Sequence, residues 1–161
     1  MLKKEIRILG LSSPRKTNPK PIIGAIFRGN LWLDAIVTFL PVKSAEGYIP
    51  RLAAALQKTK QYSQIQAAIF SREDILVHKY QDYRRLLELL KFPVFTIAKK
   101  SAKRVPRNEF VKIQRDKREI TLWINDYSPE RARELYTLGC TKGQSTPEAV
   151  RLAELIADAL Q

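Results

Sequence analysis

A mixed α/β domain, antiparallel at its start and carrying helices on both faces of a central sheet, is the fold class this sequence predicts. Three observations carry it. Residues 4–40 alternate at strand spacing in three segments, and from residue 47 onward helical periodicities interleave with short apolar runs. No repeat or compositional break divides the 161 residues, so residues 1–161 read as one domain.

Lys4 to Leu11 alternates and ends at Leu9-Gly10-Leu11, the pattern of a first strand. The proline-rich polar stretch from Ser12 to Pro21 is a loop. Ile22 to Phe27 and Leu31 to Leu40 are apolar and β-branched on either side of Arg28-Gly29-Asn30, which predicts a hairpin and, with the first strand, an antiparallel meander. Ile49, Leu52, Ala53 and Leu56 recur at helical spacing, and Ile65 to Phe70 is a short run suited to a buried strand. Tyr83, Leu86, Leu87 and Leu90 mark a second helix, followed by a buried strand over Val94 to Ala98. Residues 99–118 show no clear period, and Glu119 to Ile124 reads as the last strand. Ser128-Pro129-Glu130 combines a capping hydroxyl, a proline at the first helical position and an acid beside the positive end of the dipole. Gly139 is expected to stop that helix. Thr146-Pro147-Glu148 repeats the start signal for a terminal helix with Val150, Ala153, Ile156, Ala157 and Leu160 on one face. This order is compatible with a ribonuclease H-like fold.

The formal charge of +13 is distributed unevenly. Residues 1–30 hold seven Lys/Arg and one acid, residues 99–118 hold nine and two, and the rest of the chain is neutral. Charge gathered into two short segments reads as a footprint for a polyanion, although solvated basic loops give the same count. The residues expected to contact nucleic acid are Arg15, Lys16 and Lys20 in the first loop, Arg28 at the hairpin turn, and Lys99, Lys100, Lys103, Arg104 and Arg107. Each would neutralise phosphate and release counterions, which gives affinity with little sequence information. Trp32 could stack on a base, but an aromatic in an apolar strand is expected in the core.

Other chemistry is thinly represented. The single cysteine, Cys140, allows no intrachain disulfide and lacks a histidine partner for nucleophilic work. The one histidine, His78, precedes the second helix and reads as a solvated residue. No glycine-rich phosphate loop or zinc-ligand spacing is present. No apolar run approaches bilayer length and no signal-peptide pattern opens the chain, so the expectation is a soluble, cytoplasmic protein with no membrane partner. An antiparallel hairpin edge is compatible with a homodimer.

Several blocks resemble the archaeal endonuclease dU family, distant relatives of endonuclease V. The segment Ile23-Gly24-Ala25-Ile26-Phe27-Arg28-Gly29-Asn30-Leu31-Trp32-Leu33-Asp34 is similar to that family's VVGVVFRGGLWLDG hairpin almost throughout. Lys60 to Ile65 resembles its SRHYEQL block, Phe92-Pro93-Val94 its LPVIVV block, and Gly139 to Ala157 its closing segment, with Lys142-Gly143, Pro147 and Arg151 in corresponding places. The resemblance covers nearly the whole chain in order. It implies a ribonuclease H-like core and divalent-metal phosphodiester cleavage at deoxyuridine, with DNA ahead of RNA as partner and a role in DNA repair. Carboxylates at the ends of adjacent central strands would hold Mg²⁺ or Mn²⁺, which activates water and neutralises phosphate charge.

The sequence departs from that pattern where the acids belong. The first strand should end in an Ile-Asp-Asp-Gly-like segment but ends in Leu11-Ser12-Ser13-Pro14, and the fourth should end in Leu-Asp-Gly but continues Phe70-Ser71-Arg72-Glu73-Asp74-Ile75. A neutral hydroxyl does not supply the charge that a hard divalent cation requires. The expectation is therefore a nucleic-acid-binding member without the catalytic aspartates. Two alternatives stay open: an active enzyme with relocated acids, or a non-enzymatic protein of an RNA–protein or DNA–protein assembly. Candidates for relocated acids are Asp34, Glu73, Asp74 and Asp126, each of which also reads as a surface, hairpin or helix-start residue.

Overall fold

The structure, a computed structural model, describes residues 6–16, 20–40, 48–76, 80–98 and 109–161. Seven strands form one sheet in the order β3-β2-β1-β4-β5-β7-β6. They are β1 (Arg7–Ser12), β2 (Ile22–Arg28), β3 (Trp32–Phe39), β4 (Ile65–Phe70), β5 (Val94–Ala98), β6 (Phe110–Arg115) and β7 (Arg118–Trp123). The first three are antiparallel neighbours, β1, β4 and β5 run parallel, and β7 returns antiparallel beside β5. The four helices are α1 (Tyr48–Gln57), α2 (Tyr80–Leu89), α3 (Pro129–Gly139) and α4 (Glu148–Ala159).

Side-chain alternation along the strands divides the interior into two layers. Leu9 and Leu11 of β1 join Leu52 and Leu56 of α1 and Tyr83 and Leu86 of α2. Ile8 joins Leu135 and Tyr136 of α3 and Val150 and Ala153 of α4 on the other side. The expected mixed sheet with helices on both faces is therefore the observed one. The interior strand β2 is buried from Ile22 to Phe27, which is why its sequence is a continuous apolar run. The edge strand β3 is half open.

Two tight turns set the hairpins. Gly29 sits at φ 56° in the β2–β3 turn, where the Leu31 amide donates to the Arg28 carbonyl at 2.8 Å. In the β6–β7 turn Asp116 and Lys117 both take positive φ, 49° and 64°, the geometry of a two-residue hairpin.

Two local expectations are corrected and one is refined. Phe110–Arg115 is a strand within the segment read as aperiodic: Val111 and Ile113 are buried while Lys112 and Gln114 face solvent. Gly139 ends α3 as expected, although without a left-handed cap; a β-carbon there would lie 3.0 Å from Pro147 Cβ, so close packing is what calls for glycine. Thr146 does not cap α4, whose N-cap is Pro147, without a side-chain bond. The α3 signal reads as expected, with Ser128 Oγ accepting from the Arg131 amide at 3.3 Å. Among the described residues no helix is long and apolar enough to cross a membrane.

Candidate nucleic-acid interface

The carboxyl ends of the parallel strands β1 and β4 lie side by side, with Leu11 paired to Phe70. The next residue on each strand, Ser12 and Ser71, is buried, and the Ser71 hydroxyl donates to Ser12 Oγ at 2.8 Å. The Ser71 amide donates to the Leu11 carbonyl, which fixes the two strand ends in register. These are the positions at which the resemblance leads one to expect aspartates. They hold a neutral, mutually satisfied hydroxyl pair.

Arg72 follows directly. Its side chain is only 11% exposed; Nε donates to Asp74 Oδ1 at 2.8 Å and Nη2 to Ser13 Oγ at 3.3 Å. Partial burial disfavours the charged form of Asp74, but the Arg72 bond and charge more than offset this and hold the carboxyl below its ordinary value. Lys20 adds to the same field. Glu154 of α4 shares this field: its carboxyl is pushed above its ordinary value by burial and by Asp158, while Arg72 and Arg15 pull it back. The loop after β1 is fastened to the end of the chain, because the amides of Arg15 and Lys16 both donate to Gln161 Oε1, at 3.1 and 3.2 Å. The side chains of Arg15 and Lys16 are left exposed beside this strand end.

The structure thus gathers Arg15, Lys16, Lys20 and Asp74 around the β1–β4 end. Arg72 and Glu154, which sequence reasoning did not select, join them. Glu154 falls on the polar flank of an amphipathic helix, where nothing in the periodicity separates it from a solvated residue. Glu73 lies in the short 3₁₀ turn after β4, where its carbonyl accepts from the Tyr83 hydroxyl.

Asp34 and Arg28 lie elsewhere. Arg7 pairs with Arg28 at the opposite end of β1 from Ser12, about 17 Å away at 3.3 Å per residue. There Asp34, 9% exposed, accepts from Arg7 Nε at 2.7 Å and from Arg28 Nε at 2.9 Å. That double ion pair locks the hairpin to β1 and does not bring Asp34 toward Glu73 or Asp74. Trp32 is a correction: instead of entering the core it is 47% exposed, with the Arg28 guanidinium 5.3 Å from its ring centroid.

Asp126 is exposed in a turn at φ 63°. Arg151 is exposed and bound to Glu148. Cys140 is buried, and burial pushes its thiol up to about 12, the opposite of an activated nucleophile. Lys99, Lys100, Lys103, Arg104, Arg107 and His78 lie outside the described residues.

The described residues at these strand ends do not fit a divalent-metal centre. Among the described residues no three His, Cys, Asp or Glu side chains come together. The strand ends offer two hydroxyls and, next to them, a guanidinium, which repels a cation and attracts phosphate.

No family model matches the chain. It is 27% identical over 97% of its length to a UPF0215 protein of Methanosarcina barkeri, covering 91% of that protein, and 24% identical over 97% to one of Methanothermobacter thermautotrophicus, covering 88%. Among solved structures it is similar to a protein of unknown function from Archaeoglobus fulgidus, with a TM-score of 0.73 at 16% identity over 96% of this chain and 97% of that one. It is also similar to Bacillus subtilis endonuclease V, with a TM-score of 0.63 at 15% identity over 96% and 80% of the two chains. Ciona intestinalis endonuclease V, solved in complex with an inosine-containing DNA, gives 0.62 at 13% identity over 96% and 84%. The guide-RNA complex of Marinitoga piezophila Argonaute gives 0.60 at 12% identity, over 30% of the Argonaute chain. The fold is the ribonuclease H-like one that these endonuclease V and Argonaute structures share.

Proposed function

We propose that this protein binds nucleic acid on a nuclease-type scaffold without cutting it through divalent metal ions. One observation carries the reading: the Ser71–Ser12 hydrogen bond occupies the strand ends where a metal-dependent relative would place carboxylates. Binding would rest on Arg15, Lys16 and Lys20 beside that end, with the basic segment from Lys99 to Arg107 as a second contact. DNA is the first partner to test and deoxyuridine or inosine the first lesions.

The test incubates the protein with single- and double-stranded DNA carrying deoxyuridine or inosine, in Mg²⁺ or Mn²⁺, and reads binding and cleavage on one gel. The expected result is retardation that weakens steeply with salt and leaves the DNA intact. Reproducible cleavage abolished by Glu73→Ala or Asp74→Ala would overturn the non-cutting reading in favour of relocated acids. Failure to bind, or binding indifferent to salt, would instead support a protein whose basic loops meet another kind of partner.

A further inference from the structure

The hairpin end of the sheet carries a feature that the Ser12–Ser71 strand end does not use. Trp32 is paired with Arg28 across the β2–β3 ladder, so both side chains leave the same face of the sheet. The Arg28 guanidinium lies over the indole at 5.3 Å. It is not free to swing, because its Nε donates to both oxygens of Asp34, at 2.9 and 3.1 Å, and Arg7 holds the same carboxylate at 2.7 Å. The turn beneath is pinned as well: Asn30 Nδ2 donates to the Cys140 carbonyl at 2.9 Å, and the Gly29 amide to the Ile6 carbonyl at 2.7 Å. An indole 47% exposed is therefore held on an immobilised backing, at the edge strand of the sheet.

We infer that Trp32, backed by Arg28, is a stacking platform for a nucleobase of single-stranded nucleic acid. This rests on the nucleic-acid reading above and adds to its phosphate contacts one of different chemistry. A rigid exposed indole offers a π-face to any base, and two guanidiniums against one carboxylate leave its surroundings net positive, which suits a ligand with a phosphate beside each base. The exposed aliphatic side chains Leu33 and Ile36 are no part of the platform. They pair with Phe27 and Ala25, which belong to the core on the α3–α4 side, and so leave the opposite face.

The chain has two tryptophans, and Trp123 is 4% exposed, stacked on Tyr80 at 4.8 Å and bonded through Nε1 to Glu109 at 3.1 Å. Indole fluorescence that responds to added oligonucleotide therefore reports on Trp32. The experiment titrates the full chain with an unlabelled thymidine homopolymer, following fluorescence, and with a dye-labelled copy, following anisotropy. Wild type is expected to be quenched, and Trp32→Phe, which retains Trp123, is expected to lose the quench while binding nearly as tightly. Trp32→Ala is expected to bind at least about fivefold more weakly at an unchanged salt slope, because stacking and not phosphate contact is removed.

Equal binding by wild type and Trp32→Ala, with no quench, overturns the platform and leaves the nucleic-acid reading standing. Absence of any binding by wild type removes both. A Trp32→Ala variant that binds normally but loses self-association in sedimentation velocity makes the face a protein contact and overturns the platform in that way.

Discussion

The Ser71 hydroxyl donates to Ser12 Oγ across 2.8 Å at the joined ends of β4 and β1, with both residues buried. The pair satisfies itself in a place where unmatched polar atoms are costly. Changing either serine to alanine strands its partner, so each single variant is expected to lose about 1–3 kcal/mol. Changing both removes the stranded atom along with the bond, so the double variant should lose clearly less than the sum. Urea unfolding of the four proteins closes the cycle. Additive losses would mean that the two hydroxyls are not bonded to each other.

Asp34 gives a prediction that separates structure from chemistry. Its carboxylate is nearly buried and held by two guanidiniums, so Asp34→Asn leaves Arg7 and Arg28 facing each other with no counter-charge. A loss of about 1–3 kcal/mol is expected, below the range for fully buried pairs because Arg28 is a third exposed. The β1–β4 end, about 17 Å away, keeps its contacts, whereas the Arg28 backing of Trp32 is loosened, so quenching by a thymidine homopolymer should weaken along with stability. A variant of native stability would contradict the anchoring role.

How much of this was legible in the sequence depended on whether periodicity or charge spoke louder. The meander and the two faces of helices followed from Ile22–Phe27, Leu31–Leu40 and the helical spacing of Leu52 and Leu56. β6 was missed because Lys112, Arg115, Lys117 and Arg118 hide the two buried residues, Val111 and Ile113, and because Asp116-Lys117 turns without glycine. The serine pair could be located from the strand ends, but their hydrogen bond could not, since it needs the parallel register of β1 against β4. The influence of Arg72 on Glu154 was invisible for a similar reason: they are 82 positions apart and share a field only after α4 has packed across β1. Trp32 was misjudged because an apolar strand reads the same whether its face is covered or open.

At Gly10 the backbone of α4 lies directly against β1. A β-carbon there would lie 2.2 Å from the Ala149 carbonyl carbon and 2.3 Å from the Val150 nitrogen, both backbone atoms that cannot rotate aside. Gly10→Ala must push α4 off the sheet or bend β1. The expected cost is about 3 kcal/mol or more, at the upper end for overpacking. A thermal melt should show it directly. Gly143→Ala is the control for space: nothing lies within 4 Å of its added carbon, though φ 85° still costs it something on the order of 1 kcal/mol.

Acid stability should depend on Glu148. Its carboxyl is held below the ordinary value first by the hydrogen bonds from Arg151, with Arg151's charge and Thr141 adding and burial opposing. Arg151 Nη2 donates to Oε2 at 2.8 Å and Nε to Oε1 at 3.0 Å, so the contact is bidentate. Because the folded pKa is depressed, the unfolded chain takes up this proton first as pH falls. The stabilisation is complete above the ordinary glutamate value of 4.5 and disappears as pH drops through the lower folded value. Glu148→Gln should therefore cost about 1 kcal/mol at pH 7, a modest figure because Arg151 is nearly half exposed. The variant and wild type should converge in stability as pH falls through that lower folded value. Urea midpoints measured from pH 3 to pH 8 test this, and a difference that persists undiminished at pH 3 would show that the side chain acts by packing and not through its charge.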